Sequence, residues 1–238
     1  MQRDVQIEVY PTDADALDAA AALAAERLRA VDGRATVALG GGRAGRAMMV
    51  ALAARADLPW SRVDWYLADE RCGAPDDPLA HAQVARASLF TPRGIVASSI
   101  HVPALDAGDP DEIARRYADT IAAVGAFDLV LLGISGDGAL GQLVAGSAAL
   151  DGAASVAVVR SAGEPPRIAL TPVAFARAKY AIVTAVGPET ARAVAAALRN
   201  GSGAPARLLP SERVTWVVDR AAAAELLADA RPVDETGG

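Results

Sequence analysis

The chain has 238 residues, with 23 basic and 29 acidic side chains, and its formal net charge of −6 argues against general nucleic-acid binding. Its single cysteine excludes a disulfide framework and a zinc site built on several cysteines, and two histidines leave little material for a metal centre. No apolar run approaches the roughly 20 residues of a membrane span, so the sequence predicts a soluble, cytoplasmic globular protein that binds no membrane.

Strand and helix patterns alternate along the chain. Apolar periodicity predicts strands at residues 5–9, 37–39, 63–67, 127–132, 156–159, 167–170, 180–185 and 214–218. Helical spacing and N-terminal signals predict helices at residues 12–31, 48–56, 109–123, 188–198 and 219–230. This succession predicts an α/β fold: a single domain over residues 1–230 with a mostly parallel, doubly wound sheet and helices on both faces, followed by a polar tail at 231–238.

A glycine-rich loop after the second predicted strand is the first candidate site. Gly40, Gly41, Gly42 and Arg43 precede a helix, and the first N–H groups of a helix suit an anion. Ligands of open α/β sheets bind at the carboxyl ends of strands, where this loop lies. The segment also matches a dinucleotide fingerprint, but weakly, because Asp64 stands at the start of its strand. A tight turn without a ligand is the structural alternative.

Charged residues follow two other predicted strands. Asp69, Glu70 and Arg71 come after the third strand, where three successive charges either meet a ligand or lie in a solvated surface loop. Asp137 follows the fourth strand between two glycines, so its carboxylate can approach a substrate as a base or instead cap a turn. The three loops together predict an anion site with a nearby acid at one end of the sheet.

The chain resembles the 6-phosphogluconolactonases of the glucosamine-6-phosphate deaminase and isomerase superfamily over residues 5–227. The order and spacing of several blocks carry the resemblance. These blocks are LGGG (39–42), SRVDWYLADER (61–71), DDP (76–78), FDLVLLG (127–133), DG (137–138), PRIALT (166–171) and WVVD (216–219).

That family hydrolyses 6-phospho-D-glucono-1,5-lactone to 6-phosphogluconate in the pentose phosphate pathway without a metal, so the resemblance implies a sugar-phosphate substrate and no cofactor. It implies that Arg71 and Arg167 bring positive charge to the phosphate and that Asp137 lies beside the reacting carbonyl. N–H groups near Gly138 would stabilise the oxyanion. The substrate-binding residues implied are Gly41, Gly42, Arg43, Asp69, Glu70, Arg71, Gly138 and Arg167.

The chain departs from the family pattern at the expected base. Ala139 stands where the family has the histidine of an Asp-Gly-His loop, and Thr190 stands where it has a lysine. His81 replaces a usual asparagine. We therefore expect Asp137 to act as the catalytic base with His81 as the second candidate, and Arg43 to replace the charge of the lost lysine.

Other functions stay open at this point. The loss of the family histidine also fits a catalytically impaired homologue that binds a sugar phosphate or regulates a partner enzyme. An amino-sugar-phosphate isomerase or deaminase is a further alternative, and a nicotinamide-dependent enzyme is a distant one. The sequence is compatible with a monomer or a homodimer.

Overall fold

The computed structural model describes residues 6–74, 76–200, 209 and 213–228. Within these residues, seven strands form one parallel sheet: β1 (Gln6–Tyr10), β2 (Ala35–Leu39), β3 (Val63–Leu67), β5 (Ile100–His101), β6 (Leu129–Gly133), β9 (Ala181–Ala185) and β10 (Val214–Asp219). Their order across the sheet is β1-β10-β9-β6-β2-β3-β5. The helices are α1 (Asp13–Arg29), α2 (Gly42–Ala54), α3 (His81–Ala85), α4 (Pro110–Val124), α5 (Pro172–Phe175), α6 (Ala191–Asn200) and α7 (Ala224–Ala228).

The predicted single α/β domain with helices on both faces is confirmed. The alanine-rich α1 packs with α2 on one face of the sheet, and α4 and α6 pack on the other. Residue 5 of the first predicted strand, residues 229–230 of the last predicted helix and the predicted tail 231–238 lie outside the described residues. None of the helices in the described ranges is long and apolar enough to span a membrane.

Helix starts show where sequence signals work and where they fail. The Thr12 hydroxyl accepts the Asp15 N–H at 3.2 Å, which confirms the predicted N-cap of α1. The helix α2 begins six residues before its predicted start, directly after the glycine loop. Its first turn packs tightly, since a Cβ atom on Gly45 would lie 2.1 Å from the Gly40 carbonyl oxygen. Apolar periodicity cannot register such a backbone contact.

A second, smaller sheet corrects the expectation of a surface loop at residues 69–71. The strands β4 (Asp69–Arg71), β8 (Arg167–Leu170) and β7 (Val156–Val159) form an antiparallel sheet in that order. Ala68 links it to the large sheet, because its N–H donates to the Leu39 carbonyl at 2.7 Å and its carbonyl accepts the Leu170 N–H at 2.8 Å. The sequence predicts β7 and β8 as strands but does not show that they pair away from the main sheet.

The topology places a crevice between β2 and β6. These two strands are neighbours, yet the chain leaves β2 toward β3 on one side and leaves β6 toward β9 on the other. At such a switch point the loops diverge and open a space for a ligand outside the carboxyl ends of the strands. The glycine loop follows β2 and the Asp137 loop follows β6, so two of the predicted loops flank this crevice.

Candidate active site

A cleft of about 130 Å³ occupies this crevice. Its walls come from residues 40–44 after β2, from Asp69 in β4, from the loop after β6 and from the turn before α6. Among the predicted site residues, Gly41, Gly42, Arg43 and Asp69 line it directly. In the part of the chain that the structure describes, no group of three or more His, Cys, Asp or Glu residues could hold a metal ion.

Asp69 is a buried carboxylate at the wall of the cleft, with only 2% of its surface exposed. Its Oδ1 accepts the Gly41 N–H at 3.1 Å, and its Oδ2 lies 2.6 Å from Nδ1 of His81 and 3.9 Å from Nη1 of Arg167. Burial opposes the charge, but the attraction of His81, the hydrogen bonds and Arg167 outweigh it and lower the pKa of Asp69. Asp69 is therefore ionised at neutral pH.

Glu70 points to the face of β4 opposite Asp69, and it supports the site through backbone hydrogen bonds. It is fully buried and accepts three backbone N–H groups, from Arg71 at 2.6 Å, His81 at 2.7 Å and Ala82 at 2.8 Å. Burial raises the pKa of Glu70, while the three hydrogen bonds favour its ionised form. These bonds tie the start of α3 to β4, which fixes His81 beside Asp69.

His81 is buried beneath the glycine loop rather than solvated. A Cβ atom on Gly41 would lie 1.9 Å from His81 Nδ1, so the ring occupies the space under that glycine. The ring is not part of the cleft wall and reaches the cleft through Asp69. Burial disfavours the charged ring, but the charge and hydrogen bond of Asp69, with the charge of Glu70, raise the pKa of His81 to about 8.

Gly41→Ala is expected to destabilise the fold by about 1–3 kcal/mol, because the new methyl group collides with the His81 ring. Urea unfolding measures the change. The double variant Gly41→Ala/His81→Ala is the control, since a smaller side chain at residue 81 leaves room for the methyl group. A double-mutant cycle should then show a favourable coupling between the two changes. If the two substitutions lower the free energy of unfolding in a strictly additive way, residue 41 does not contact the His81 ring as described.

The stability of the fold is expected to fall as pH rises from 6.5 through about 8. A histidine with a raised pKa stabilises the folded state fully below its unfolded value of 6.5 and loses that contribution as pH passes its folded value. The shift corresponds to about 2 kcal/mol. The charged groups that act on the ring are Asp69, Glu70 and Arg167. Urea unfolding at several pH values should show this slope in the wild type and a flatter profile in His81→Asn.

Arg71 and Arg167 face each other across β4 and β8, on the same side as Asp69. Like charges directly opposite in a sheet destabilise it unless an anion lies between them. The nearest carboxylates stand beyond hydrogen-bond distance, with Asp77 at 3.8 Å from Arg71 and Asp69 at 3.9 Å from Arg167. Among the described residues, Arg71 Nε and Arg167 Nη1 are buried without a hydrogen-bond partner. The pair is therefore arranged for a further anion.

Asp137 holds the loop after β6 in shape. The residue is exposed, and its Oδ1 accepts hydrogen bonds from the Ser135 hydroxyl and, at 3.0 Å, from the Ala139 N–H. These bonds lower the pKa of Asp137, and the bond from Ser135 has the larger effect. The Gly138 N–H donates to the Ser135 carbonyl at 2.9 Å. Ser135 and Ala139 line the cleft, whereas Asp137 and Gly138 do not. This is the turn-capping geometry that the sequence offered as the alternative, and the catalytic role of Asp137 stays a prediction.

Arg43 brings positive charge to the mouth of the cleft, near the position of the missing lysine. Its guanidinium pairs with Glu189 and donates to the Val186 carbonyl at 3.3 Å. Thr190, at the lysine position, is buried and donates its hydroxyl to the Gly187 carbonyl at 2.8 Å. Sequence reasoning missed Glu189, whose role depends on a contact with a residue far away in the chain.

The first turn of α2 opens on the cleft. Gly41 precedes the helix without a side-chain cap, and Gly42, Arg43 and Ala44 line the cleft. The first N–H groups of a helix have no intrahelical partners, and the helix dipole favours an anion there. The predicted anion-binding character of the glycine loop therefore agrees with its position.

Gln142 is a cleft residue that the sequence did not single out. It follows Gly141 in a two-residue turn, in which Leu140 and Leu143 exchange hydrogen bonds of 3.0 and 3.1 Å. Both central residues have positive φ, and Gln142 (φ +66°) is the one non-glycine residue with this conformation in the described ranges. Such a conformation costs about 1 kcal/mol or more. Its only signal in the local sequence is that a glutamine stands at a position where such a turn favours glycine or asparagine.

Comparisons with known proteins show which family and which relatives this chain is similar to. The family model described as glucosamine-6-phosphate isomerases/6-phosphogluconolactonase matches residues 11–217. A 6-phosphogluconolactonase of Mycobacterium tuberculosis is 33% identical over 92% of this chain and 98% of the relative. The one of Streptomyces coelicolor is 33% identical over 82% of this chain and 83% of the relative. A solved 6-phosphogluconolactonase from Trypanosoma cruzi shares the fold, with a TM-score of 0.84 at 20% identity over 95% of this chain and 98% of that one.

Proposed function

Since the chain belongs to the glucosamine-6-phosphate isomerase/6-phosphogluconolactonase family, we propose that it hydrolyses 6-phospho-D-glucono-1,5-lactone to 6-phosphogluconate. The names of its curated relatives support this substrate. The observation that carries the proposal is the pair of guanidinium groups on Arg71 and Arg167. Each has a buried N–H without a partner among the described residues. Neither lines the cleft itself, but Arg167 lies 3.9 Å from the cleft carboxylate of Asp69, and Arg71 faces Arg167 across β4 and β8.

The phosphate of the substrate would neutralise this arginine pair. A phosphate dianion offers acceptor oxygens to both guanidinium forks and removes the repulsion between them. The glycine loop flanks the same place, because Asp69 contacts both the Gly41 N–H and the Arg167 guanidinium. The N–H groups at the start of α2 add a favourable field for an anion. The lactone ring would then extend toward the loop after β6.

The cleft also needs a group that accepts the proton of the attacking water. Ala139 cannot do so, because a methyl group carries no basic atom. Asp69 and Glu189 are carboxylates of the cleft wall. Glu189 is exposed and pairs with Arg43, whereas Asp69 is buried beside Arg167, where the phosphate of the substrate would lie. We therefore assign the role of general base to Asp69. His81 is a positioning residue in this scheme, because it touches Asp69 and not the cleft.

The reaction then proceeds in two steps. Asp69 takes a proton from water while the water oxygen attacks C1 of the lactone, which gives a tetrahedral intermediate with a negative oxygen. Collapse of this intermediate breaks the bond between C1 and the ring oxygen, and that oxygen receives the proton. The carboxylic acid that forms ionises to 6-phosphogluconate. A lowered pKa makes Asp69 a modest base, so its contribution rests on its position beside the substrate.

Ala139 favours a second candidate function, in which the cleft binds a sugar phosphate without hydrolysing it. An assay of the full chain with fresh lactone separates the two, after the spontaneous rate is subtracted. We expect an excess rate that grows in proportion to protein concentration and is lost in Asp69→Asn. No excess rate, together with measured binding of 6-phosphogluconate, would instead establish the binding function.

A further inference from the structure

A second cavity lies at the β5 edge of the large sheet, near the amino ends of β2 and β3. Its volume of about 550 Å³ is in the range of small-molecule sites. Its walls come from β3, β5, the short turn Trp60–Arg62 and the segment before β5. The cavity shares no lining residue with the cleft, so it is a separate place on the molecule.

Arg93 brings an uncompensated positive charge to this cavity. Its guanidinium lies 4.9 Å from the Trp60 ring centroid, and Trp60 stacks on Trp65 at 6.0 Å, so the cation is held in place before any ligand arrives. One of its nitrogens donates to the Arg55 carbonyl. Its buried Nε has no hydrogen-bond partner, and no carboxylate of the described chain forms an ion pair with it.

The other charged residues of the cavity wall neutralise each other. Arg34 Nε donates to Asp64 Oδ2 at 3.0 Å, and a second nitrogen of Arg34 binds the other oxygen of the same carboxylate. The same guanidinium also donates to the Ser99 hydroxyl at 2.8 Å. Arg93 therefore leaves the cavity with an excess positive charge, although the whole chain has a net charge of −6.

Tyr66 adds a hydroxyl group without a partner. The residue is 8% exposed, and its hydroxyl makes no hydrogen bond to any residue that the structure describes. Since no hydrogen bond occupies it and the residue lines the cavity, this hydroxyl is available to a ligand or water. The Tyr66 ring stacks on His101, with ring centroids 4.5 Å apart. The His101 side chain is 31% exposed and extends this flat surface into the cavity.

We propose that this cavity binds a small phosphomonoester, with the phosphate on Arg93 and the ring of the ligand against His101 and the Tyr66 hydroxyl. A guanidinium that lines the cavity, is held in place and has no ion-pair partner among the described residues suits a phosphate. The flat imidazole suits a ring, and the free hydroxyl suits a polar group on it. Because the site is distinct from the cleft, this proposal does not depend on the lactonase activity.

Isothermal titration calorimetry of the full chain tests the proposal with two probes, adenosine 5′-monophosphate and ribose 5-phosphate, which differ only in the flat base. We expect at least one to bind with a Kd of about 1 mM or tighter. Arg93→Gln should weaken that binding about tenfold or more, because it removes a charged donor. Tyr66→Phe keeps the ring stack and should weaken binding a few-fold by loss of the hydroxyl.

The outcomes separate the cavity from the cleft. If the nucleotide binds more tightly, the ring that the cavity recognises is a flat base; if both probes bind equally, the cavity recognises the sugar phosphate. Either result supports the proposal if Arg93→Gln weakens the binding. Binding that both cavity variants leave unchanged, or that is lost in the cleft variant Arg167→Met, would place the probe in the cleft and overturn it. No binding of either probe at about 10 mM would also overturn it.

Discussion

Asp69→Asn is expected to lower kcat for lactone hydrolysis by about 10²–10⁴, because an amide cannot accept the proton of the attacking water. KM should change much less, since the amide oxygen of the introduced asparagine can still accept the Gly41 N–H and the phosphate is held by other groups. Steady-state kinetics with the spontaneous rate subtracted measure both constants. Circular dichroism checks the fold, because the substitution leaves the buried His81 ring without its carboxylate.

Asp137→Asn is the matched control, as it makes the same chemical change at a carboxylate that does not line the cleft. An asparagine oxygen can still accept the hydrogen bond from the Ala139 N–H, so the loop should keep its conformation. The variant should therefore keep most of its lactonase activity. If Asp137→Asn abolishes hydrolysis while Asp69→Asn leaves kcat within an order of magnitude, Asp137 is the base, as the sequence predicted. The pair of variants therefore decides between two carboxylates.

Arg167→Met is expected to raise KM by about 10–100-fold, because the phosphate loses a charged donor. The same substitution removes both the repulsion from Arg71 and the attraction to Asp69, so the stability of the empty protein should change by less than about 1 kcal/mol. Added inorganic phosphate should stabilise the wild type more than the variant. Initial rates and thermal unfolding with and without phosphate measure these three effects.

Arg116→Met on the exposed face of α4 is the control for the general loss of one positive charge. It should leave KM unchanged, since its guanidinium pairs with Glu112 and takes no part in the cleft. A normal KM in Arg167→Met, or equal stabilisation of the wild type and this variant by inorganic phosphate, would show that the arginine pair does not hold the phosphate.

The sequence predicts the main sheet well, because its strands of five or six residues are apolar or alternate apolar with polar residues. Each major helix has apolar residues at helical spacing. The strand ends then point to the glycine loop and Asp69. Residues 69–71 show the limit of this reasoning. Three charges in a row indicate a loop, and only the backbone pairing of Ala68 with both sheets makes them a buried strand.

The site residues divide in the same way. Local patterns identify glycine loops and charged clusters, and they place Arg43 and Asp69 at the cleft. They cannot tell which of the two acids lines the cleft, because this depends on the tertiary contacts of Asp69 and Asp137. They also leave His81 as a surface residue, although its hydrogen bond to Glu70 and the space under the glycine loop hold it inside.

The interlocking of His81 with Gly41 constrains how this chain can change. With the imidazole in place, residue 41 has no room for even one methyl group. Replacing Gly41 by a larger residue therefore requires the imidazole ring to move, so substitutions at residues 41 and 81 are coupled. A design that needs a side chain at residue 41 should also shorten the side chain at residue 81.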